Sequence, residues 1–310
     1  NIHRPAELYE DLFWTLMRRF RAQGRLGTRQ HKFRFKNKLL SFDSTTISLC
    51  LSLFPWASFR RAKGGVKAHV LLDHADYMPS FVHISKARMH DARALALLRL
   101  NAGSIIALDR AYNDFAQFSR WSEAGVWFVT RMKEGTVYEV VQARETPQRR
   151  NIRSDEIIRL SGAGAQAKCP HLLPRMVVWD EEHQRVIVLL TNHMCFGATA
   201  IADIYKERWQ IGVFFKTLKQ NLIFINDTGT TENALRIQIW TALIALLLLK
   251  WLHHLSQARW SLSNLAYLVR LNLFTYRDLR DWLNDPYNTP PIIPFPEQLE
   301  LPLTGLGQGT

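Results

Sequence analysis

Near the start of the chain, Leu8, Leu12, Phe13, Leu16 and Met17 recur at helical spacing and predict a helix over residues 5–24. The period then shortens. Residues 39–49, 66–73 and 79–84 read as strands, rich in β-branched and aromatic side chains. A helix over 90–100, a compact apolar strand over 104–109, a helix over 114–124 and a buried strand over 126–130 follow. Asp114 suits the N-cap of the last of these helices, and Gly125 its stop. The order β-β-β-α-β-α-β predicts an α/β core, a mixed sheet with helices packed on its faces.

Between 131 and 199 the pattern changes to short β-like pieces at 137–141, 176–179 and 186–190, which predict an all-β insertion. Helices are predicted again at 200–221, 232–256, 262–271 and 277–283. Prolines crowd between 286 and 302, so an extended, disordered tail is expected over 286–310. The expected organisation is an N-terminal helix and basic linker (1–31), the first part of the core (32–130), the insertion (131–199), the end of the core (200–256), C-terminal helices (257–285) and the tail. The longest apolar run, 239–249, is interrupted by Thr241 and stops at Lys250; this falls short of the roughly 20 residues a bilayer span needs and predicts a buried helix. The first residues are amphipathic and charged, unlike a signal peptide, and the start at Asn1 leads us to expect a missing N-terminal piece.

Charge changes the picture. Forty Lys and Arg against 27 Asp and Glu leave a formal net charge of +13. Such a surplus points to a polyanionic partner, nucleic acid first and a membrane surface second. The run Arg18, Arg19, Arg21, Arg25, Arg29, Lys32, Arg34, Lys36 and Lys38 reads as a solvated linker or as a DNA-backbone contact, the second favoured because the surplus is so one-sided. Three cysteines, Cys50, Cys169 and Cys195, are too few for a disulfide framework and suit a reducing cytosol. Cys169 with His171, and His193 with Cys195, supply four zinc-ligand types, although structural zinc sites more often use C-x2-4-C spacing.

Asp43 lies in the first predicted strand and Asp109 ends the fourth. Those strands can lie side by side in this order, and their acids would then meet at one edge. Two carboxylates there repel unless divalent cations neutralise them, and oxygen-only ligation suits Mg²⁺. Either aspartate alone reads equally as a turn or cap residue. On the helix at 200–221, Tyr205, Arg208, position 212 and Lys219 fall within roughly 60° of one face at about 100° per residue, and Lys216 joins them. A stripe of Tyr, Arg and Lys is a solvated face or a face laid along a phosphate backbone.

With these residues in hand, the chain resembles the insertion-sequence-four family of DDE transposases, marked by a Y-x2-R-x3-E-x6-K signature. The resemblance runs from about Lys32 to Leu255. It rests on Asp43-Ser-Thr-Thr, the segment Lys63 to His69, Asp109-Arg110-Ala111-Tyr112, Phe128 to Arg131, Leu190-Thr191-Asn192, Tyr205 through Lys219, and Gly229 to Ala234. It implies an RNase H-like core of the retroviral integrase superfamily with a β-rich insertion and a C-terminal helical region. It also implies Mg²⁺-dependent (or Mn²⁺-dependent) cleavage at transposon ends, a homodimer on double-stranded DNA, and a bacterial, nucleoid-associated cytoplasmic protein. Asp43 and Asp109 correspond to the first two catalytic, metal-holding acids. Tyr205, Arg208 and Lys219 correspond to the signature residues that grip DNA, with Lys216, Arg110, Lys63, Lys67, Arg131 and Lys133 as further backbone contacts. Trp127 and Trp179 read as core residues, with stacking of an extruded base as the alternative for a tryptophan in the insertion.

The sequence departs from the signature at one position, where Gly212 stands in place of the catalytic Glu. Glu207 sits about 140° around the axis and Asp203 faces the opposite side, so neither replaces it. The expectation is a transposase architecture with impaired catalysis. A non-catalytic DNA-binding protein derived from a transposase and a structure-selective nuclease on the same fold are the alternatives.

Overall fold

In the computed structural model, which describes residues 4–26, 33–49, 58–60, 63–89, 91–147, 151–222, 231–258 and 260–292, the strands join one mixed sheet. The first half supplies β1 (Leu39–Leu49), β2 (Ser58–Arg60), β3 (Lys63–Asp73), β4 (Met78–Lys86), β5 (Ile105–Leu108) and β6 (Trp127–Arg131). Next come β7 (Tyr138–Ala143), β8 (Ile152–Leu160), β9 (Leu173–Asp180) and β10 (Arg185–Thr191). The spatial order is β2-β3-β1-β5-β6-β10-β9-β8-β7, with β4 also on β3. β1, β5 and β6 run parallel at the centre, and the flanking pairs are antiparallel. Cys50, Arg29, Lys32, Gly229 and the tail beyond residue 292 lie outside the described residues.

The parallel pair β5 and β6 needs a crossover, and α3 (Phe115–Glu123) supplies it. Asp114 caps α3, accepting from the backbone N–H groups of Ala116 and Gln117. Gly125, at φ +68°, takes the left-handed turn into β6 that a side chain would resist. Asn192 ties the same corner: its carbonyl accepts from Phe128 N–H, and its amide donates to Ser122 Oγ and Val126 O.

Two apolar layers cover the sheet. One gathers Leu40, Phe42, Ile106, Leu108, Phe118, Trp121 and Phe128, with Leu160 and Leu173 from β8 and β9. The other gathers Leu39, Ile105, Ala107, Val129, Met176 and Leu189 beneath α5 (Ala198–Glu207). Alternating side chains on shared strands feed both layers, the expected result for a sheet covered on both faces.

Three expectations need correction. The segment 131–199 is not all-β, because α4 (Ala163–Lys168) lies within it, and its strands extend the central sheet through the β6–β10 pair. The helix expected at 90–100 is only α2 (Asp91–Leu95). The helix expected at 200–221 is two: α5 ends at Glu207 and α6 (Trp209–Leu222) begins after Arg208. At the N-terminus, α1 (Ala6–Ala22) buries Phe13, Met17 and Phe20 and leaves Leu8 and Leu12 exposed. Phe13 packs against Trp240 of α7 (Glu232–Leu255), with ring centroids 5.6 Å apart.

The chain divides within α7 into two compact units, Asn1–Leu247 and Leu248–Thr310. By length and composition alone α7, at 24 residues, is long and apolar enough to cross a membrane, while the expectation for its apolar run is a buried helix. Its residues from Ala234 to Leu247 nevertheless supply ten buried side chains, as a core helix does. The second unit has its own small core, where Leu265 of α8 (Leu262–Leu271) packs with Trp282 and Leu283 of α9 (Leu279–Asn284). Ser256 Oγ and Trp260 Nε1 both donate to the carbonyl of Leu283.

Two stability predictions follow from this packing. Phe118 and Phe128 stack at 4.0 Å with an interplanar angle of 13°, both fully buried. Phe118→Ala should therefore cost about 3–5 kcal/mol, read as a lowered midpoint in denaturant titration. His69 on β3 is also fully buried, and burial holds its pKa down at about 4, against 6.5 for the free group. Between those values the unfolded chain binds a proton that the folded chain refuses, so stability falls as pH drops from 6.5 to about 4. The loss should reach up to about 3 kcal/mol. His69→Gln, which keeps a partner for Ser85 Oγ at 3.0 Å, should flatten that limb of the stability profile.

Candidate active site

Alternation along β1 and β5 decides which side chains share a face. Leu39 on β1, with Ile105 and Ala107 on β5, belongs to the layer beneath α5. Asp43 and Asp109 continue those series at two-residue steps. Phe42 pairs with Leu108 in the parallel register, and the next residue along each segment is an aspartate, Asp43 within β1 and Asp109 just past the end of β5. Both carboxylates leave neighbouring strands on the side where α5 ends.

Arg208 sits at that end, between the two helices. Its guanidinium lies 3.4 Å from Asp43 Oδ2 and 3.7 Å from Asp109 Oδ2, bridging the pair. The backbone tightens around it: Arg208 N–H donates to Tyr205 O, and Ile211 N–H donates to Arg208 O. These are steps of the 3-10 kind, which inside a helical stretch often mark a functional hinge. Tyr205, only 8% exposed, holds its ring 5.4 Å from the same guanidinium.

Each aspartate has backbone support. Asp109 caps the turn Arg110–Tyr112, accepting from Ala111 N–H. Asp43 Oδ1 accepts from Ser44 N–H at 2.8 Å, and the Tyr112 hydroxyl lies 3.3 Å away. Burial raises the pKa of Asp43 against the lowering effects of Ser44 N–H and Arg208. Burial and the nearby Asp43 charge likewise push Tyr112 up, which keeps its phenol protonated as a donor.

The remaining predicted residues divide. Lys216 and Lys219 are exposed on α6, and Gly212 is exposed beside them. A Cβ at Gly212 would meet nothing nearer than Trp209 Cε3 at 3.9 Å, so a side chain fits there. Arg131 lines a cavity of about 350 Å³ together with Tyr205, Arg208, Trp179 and Trp209. Arg110 pairs with Glu134 at 2.5 Å, and Lys133 Nζ donates to Asn113 O. Lys67 is turned inward, 2.9 Å from Asp91 and 13% exposed, so its charge is engaged inside the protein. The side chain of Lys63 lies outside the described residues.

Glu207 is buried and drawn the other way, where it accepts from the Tyr77 hydroxyl at 3.2 Å, with His74 Nδ1 3.9 Å off. Asp203 is exposed at the edge of the cavity. The zinc-type residues keep separate company. Cys169 is in the core and His171 is near Ser119 and Glu123, while His193 stacks on Phe196 and Cys195 is exposed. Among the described residues, no three His, Cys, Asp or Glu side chains gather as a metal site. Trp127 packs against the layer beneath α5 and tilts over His193, whereas Trp179 carries the Arg153 guanidinium 4.4 Å from its ring.

Sequence reasoning missed Asp91 and the approach of the Tyr112 hydroxyl to Asp43. Asp91 opens a five-residue helix and reads in the sequence as nothing more than a cap.

Residues 34–248 match the family described as Transposase DDE domain. A protein of Sinorhizobium fredii named as the transposase y4zB is 30% identical over 283 residues, covering 90% of this chain and 77% of its own length. One of Geobacillus stearothermophilus named for insertion sequence element IS5377 is 31% identical over 245 residues, covering 78% of this chain and 64% of its own. The solved synaptic complex of piggyBac transposase with hairpin DNA aligns at a TM-score of 0.44 and 12% identity, over 76% of this chain and 52% of that one, too weakly to bear on the fold. The family match, together with a relative 30% identical across most of both chains, establishes that this chain belongs to the Transposase DDE domain family.

Proposed function

We propose that the chain is a DNA transposase of the cut-and-paste DDE type, of the insertion-sequence-four group and built on an RNase H-like core. The observation that carries this reading is the pair Asp43 and Asp109 on adjacent parallel strands with one cationic group across both. The double-stranded DNA partner is supported by the formal charge of +13 and by the exposed lysines of α6. Two transposon ends must be brought together, so the working form is a homodimer on DNA, in the bacterial cytoplasm at the nucleoid.

The donor set fits Mg²⁺ in kind. Both side chains offer oxygen only, and their carboxylates converge on a single cation, the Arg208 guanidinium. Mg²⁺ is commonly held by one or two carboxylates, with waters and substrate phosphate completing its shell. Asp43 and Asp109 would hold it, and Mn²⁺ in its place. When bound, the ion supplies charge neutralisation and Lewis-acid polarisation at the scissile phosphate.

The chain's own groups do the rest. Arg208, released from the aspartates, offers a planar fork to phosphate oxygens. Tyr205 orients that arginine and is no nucleophile, since direct phosphoryl transfer needs no protein–DNA bond. Lys216 and Lys219 hold the DNA backbone along α6, and Arg110 and Arg131 extend the cationic rim. Position 212 lies on α6 without the third carboxylate, so the chain binds DNA and cuts it poorly. That same glycine favours a second reading, a DNA-binding protein of transposase descent that has lost catalysis.

The test compares this chain with Gly212→Glu on duplex DNA carrying the inverted repeats that flank the gene. Both should bind, with affinity falling steeply as salt rises. Gly212→Glu should raise Mg²⁺-dependent nicking on the order of 100-fold, since a metal site is worth several kcal/mol and each 1.4 kcal/mol is tenfold. Asp43→Asn in the restored chain should abolish it. Equal nicking with Gly and with Glu would mean that the third ligand lies elsewhere, and binding without cutting by both would favour the non-catalytic reading.

A further inference from the structure

Behind Asp43 runs a chain of hydrogen bonds that ends on a second carboxylate. The Tyr112 hydroxyl lies 3.0 Å from Ser44 Oγ and 3.3 Å from Asp43 Oδ1. Ser44 Oγ donates to Asp91 Oδ1 at 3.0 Å. The same oxygen of Asp91 accepts from Lys67 Nζ at 2.9 Å, and His69 Nδ1 stands 3.8 Å away. Lys67 Nζ is steadied by a further bond to Met89 O.

Counting protons gives this chain a direction. A carboxylate paired with an ammonium only accepts, a hydroxyl has one proton to give, and a phenol has one. Ser44 gives its proton to Asp91, so a lone pair on Ser44 Oγ faces the phenol. Tyr112 has two acceptors within reach, and the nearer is Ser44. Its proton therefore goes mainly to Ser44, and the Asp43 carboxylate keeps negative charge that a phenolic hydrogen bond on Oδ1 would otherwise draw away from Oδ2, the oxygen facing Arg208.

We propose that Asp91 is a positioning residue for the Asp43–Asp109 site: acting through Ser44, it draws the Tyr112 proton off Asp43 Oδ1 and so keeps the Asp43 carboxylate a strong cation ligand. Lys67 serves this arrangement by pinning Asp91. The inference rests on the metal-binding reading above and deepens it.

The experiment is Mn²⁺ binding to the full chain without DNA, followed by the paramagnetic resonance of the free ion, so that catalysis plays no part. In Ser44→Ala the link is cut and the phenol has Asp43 as its remaining acceptor. Mn²⁺ affinity should fall roughly tenfold, the value of one hydrogen bond to a charged group. Asp91→Ala should show the same loss, because the freed Ser44 proton can turn to the Tyr112 oxygen. Adding Tyr112→Phe to Ser44→Ala removes the competing proton and should return affinity to within about twofold of the unaltered chain, a recovery that general disruption of the fold would not produce. Ser44→Ala deletes a single oxygen and keeps the proposal testable should Asp91→Ala misfold. Unaltered affinity in Ser44→Ala, or no recovery in the double variant, overturns the proposal. If the unaltered chain itself binds no Mn²⁺, the metal-binding reading falls and takes this inference with it, so the two failures are told apart.

Discussion

Two carboxylates on adjacent parallel strands, partly withdrawn from water, are the constraint around which the rest of the site is arranged. Like charges at such spacing repel by a few kcal/mol at the effective dielectric of a protein edge. Burial alone already raises the pKa of Asp43. What offsets the repulsion is local and specific: a backbone N–H at each acid, from Ser44 and Ala111, and the Arg208 guanidinium across both. Arg208 can do this because α5 stops one residue before it and α6 begins one residue after. Positioning the arginine and breaking the helix are thus one structural event.

Much of this was legible in the chain, and the physics explains what was not. Period-two alternation and strand-terminal acids placed Asp43 and Asp109 on separate strands, and the parallel pair β1–β5 makes those strands neighbours. Capping chemistry at Asp114 and the glycine at 125 located α3 to within a residue. A uniform 100° step describes one straight helix over 200–221, and the tightened turn at Arg208 disturbs that step where the site lies. β8 carries Ser154, Asp155 and Glu156 within Ile152–Leu160, so its polar residues hide a strand whose buried positions are Asp155, Ile157, Ile158 and Leu160.

Lys67 shows why charge alone misleads. In sequence it is one more cation in a basic chain. In space it faces Asp91, and its ammonium serves an internal carboxylate. Asp91 itself could not be found from spacing, because it lies 48 residues after Asp43 in a short helix and meets it through Ser44 and Tyr112. Long-range pairing of polar groups leaves no periodic trace. Only the fold reveals it.

The same geometry explains why glycine is tolerated at position 212 of α6. Asp43 and Asp109 are about two-thirds buried, at 28% and 31% side-chain exposure, so an unpartnered carboxylate there would cost stability. Position 212 is exposed, and its added Cβ would touch nothing closer than 3.9 Å, so packing makes no demand on it. Glycine costs roughly 1 kcal/mol in a helix, an amount that a sheet covered on both faces absorbs readily. Burial ties the two acids to Arg208, whereas packing leaves position 212 free to carry glycine or a larger side chain. Glycine at 212 is therefore compatible with the paired aspartates and with the exposed Lys216 and Lys219 of α6.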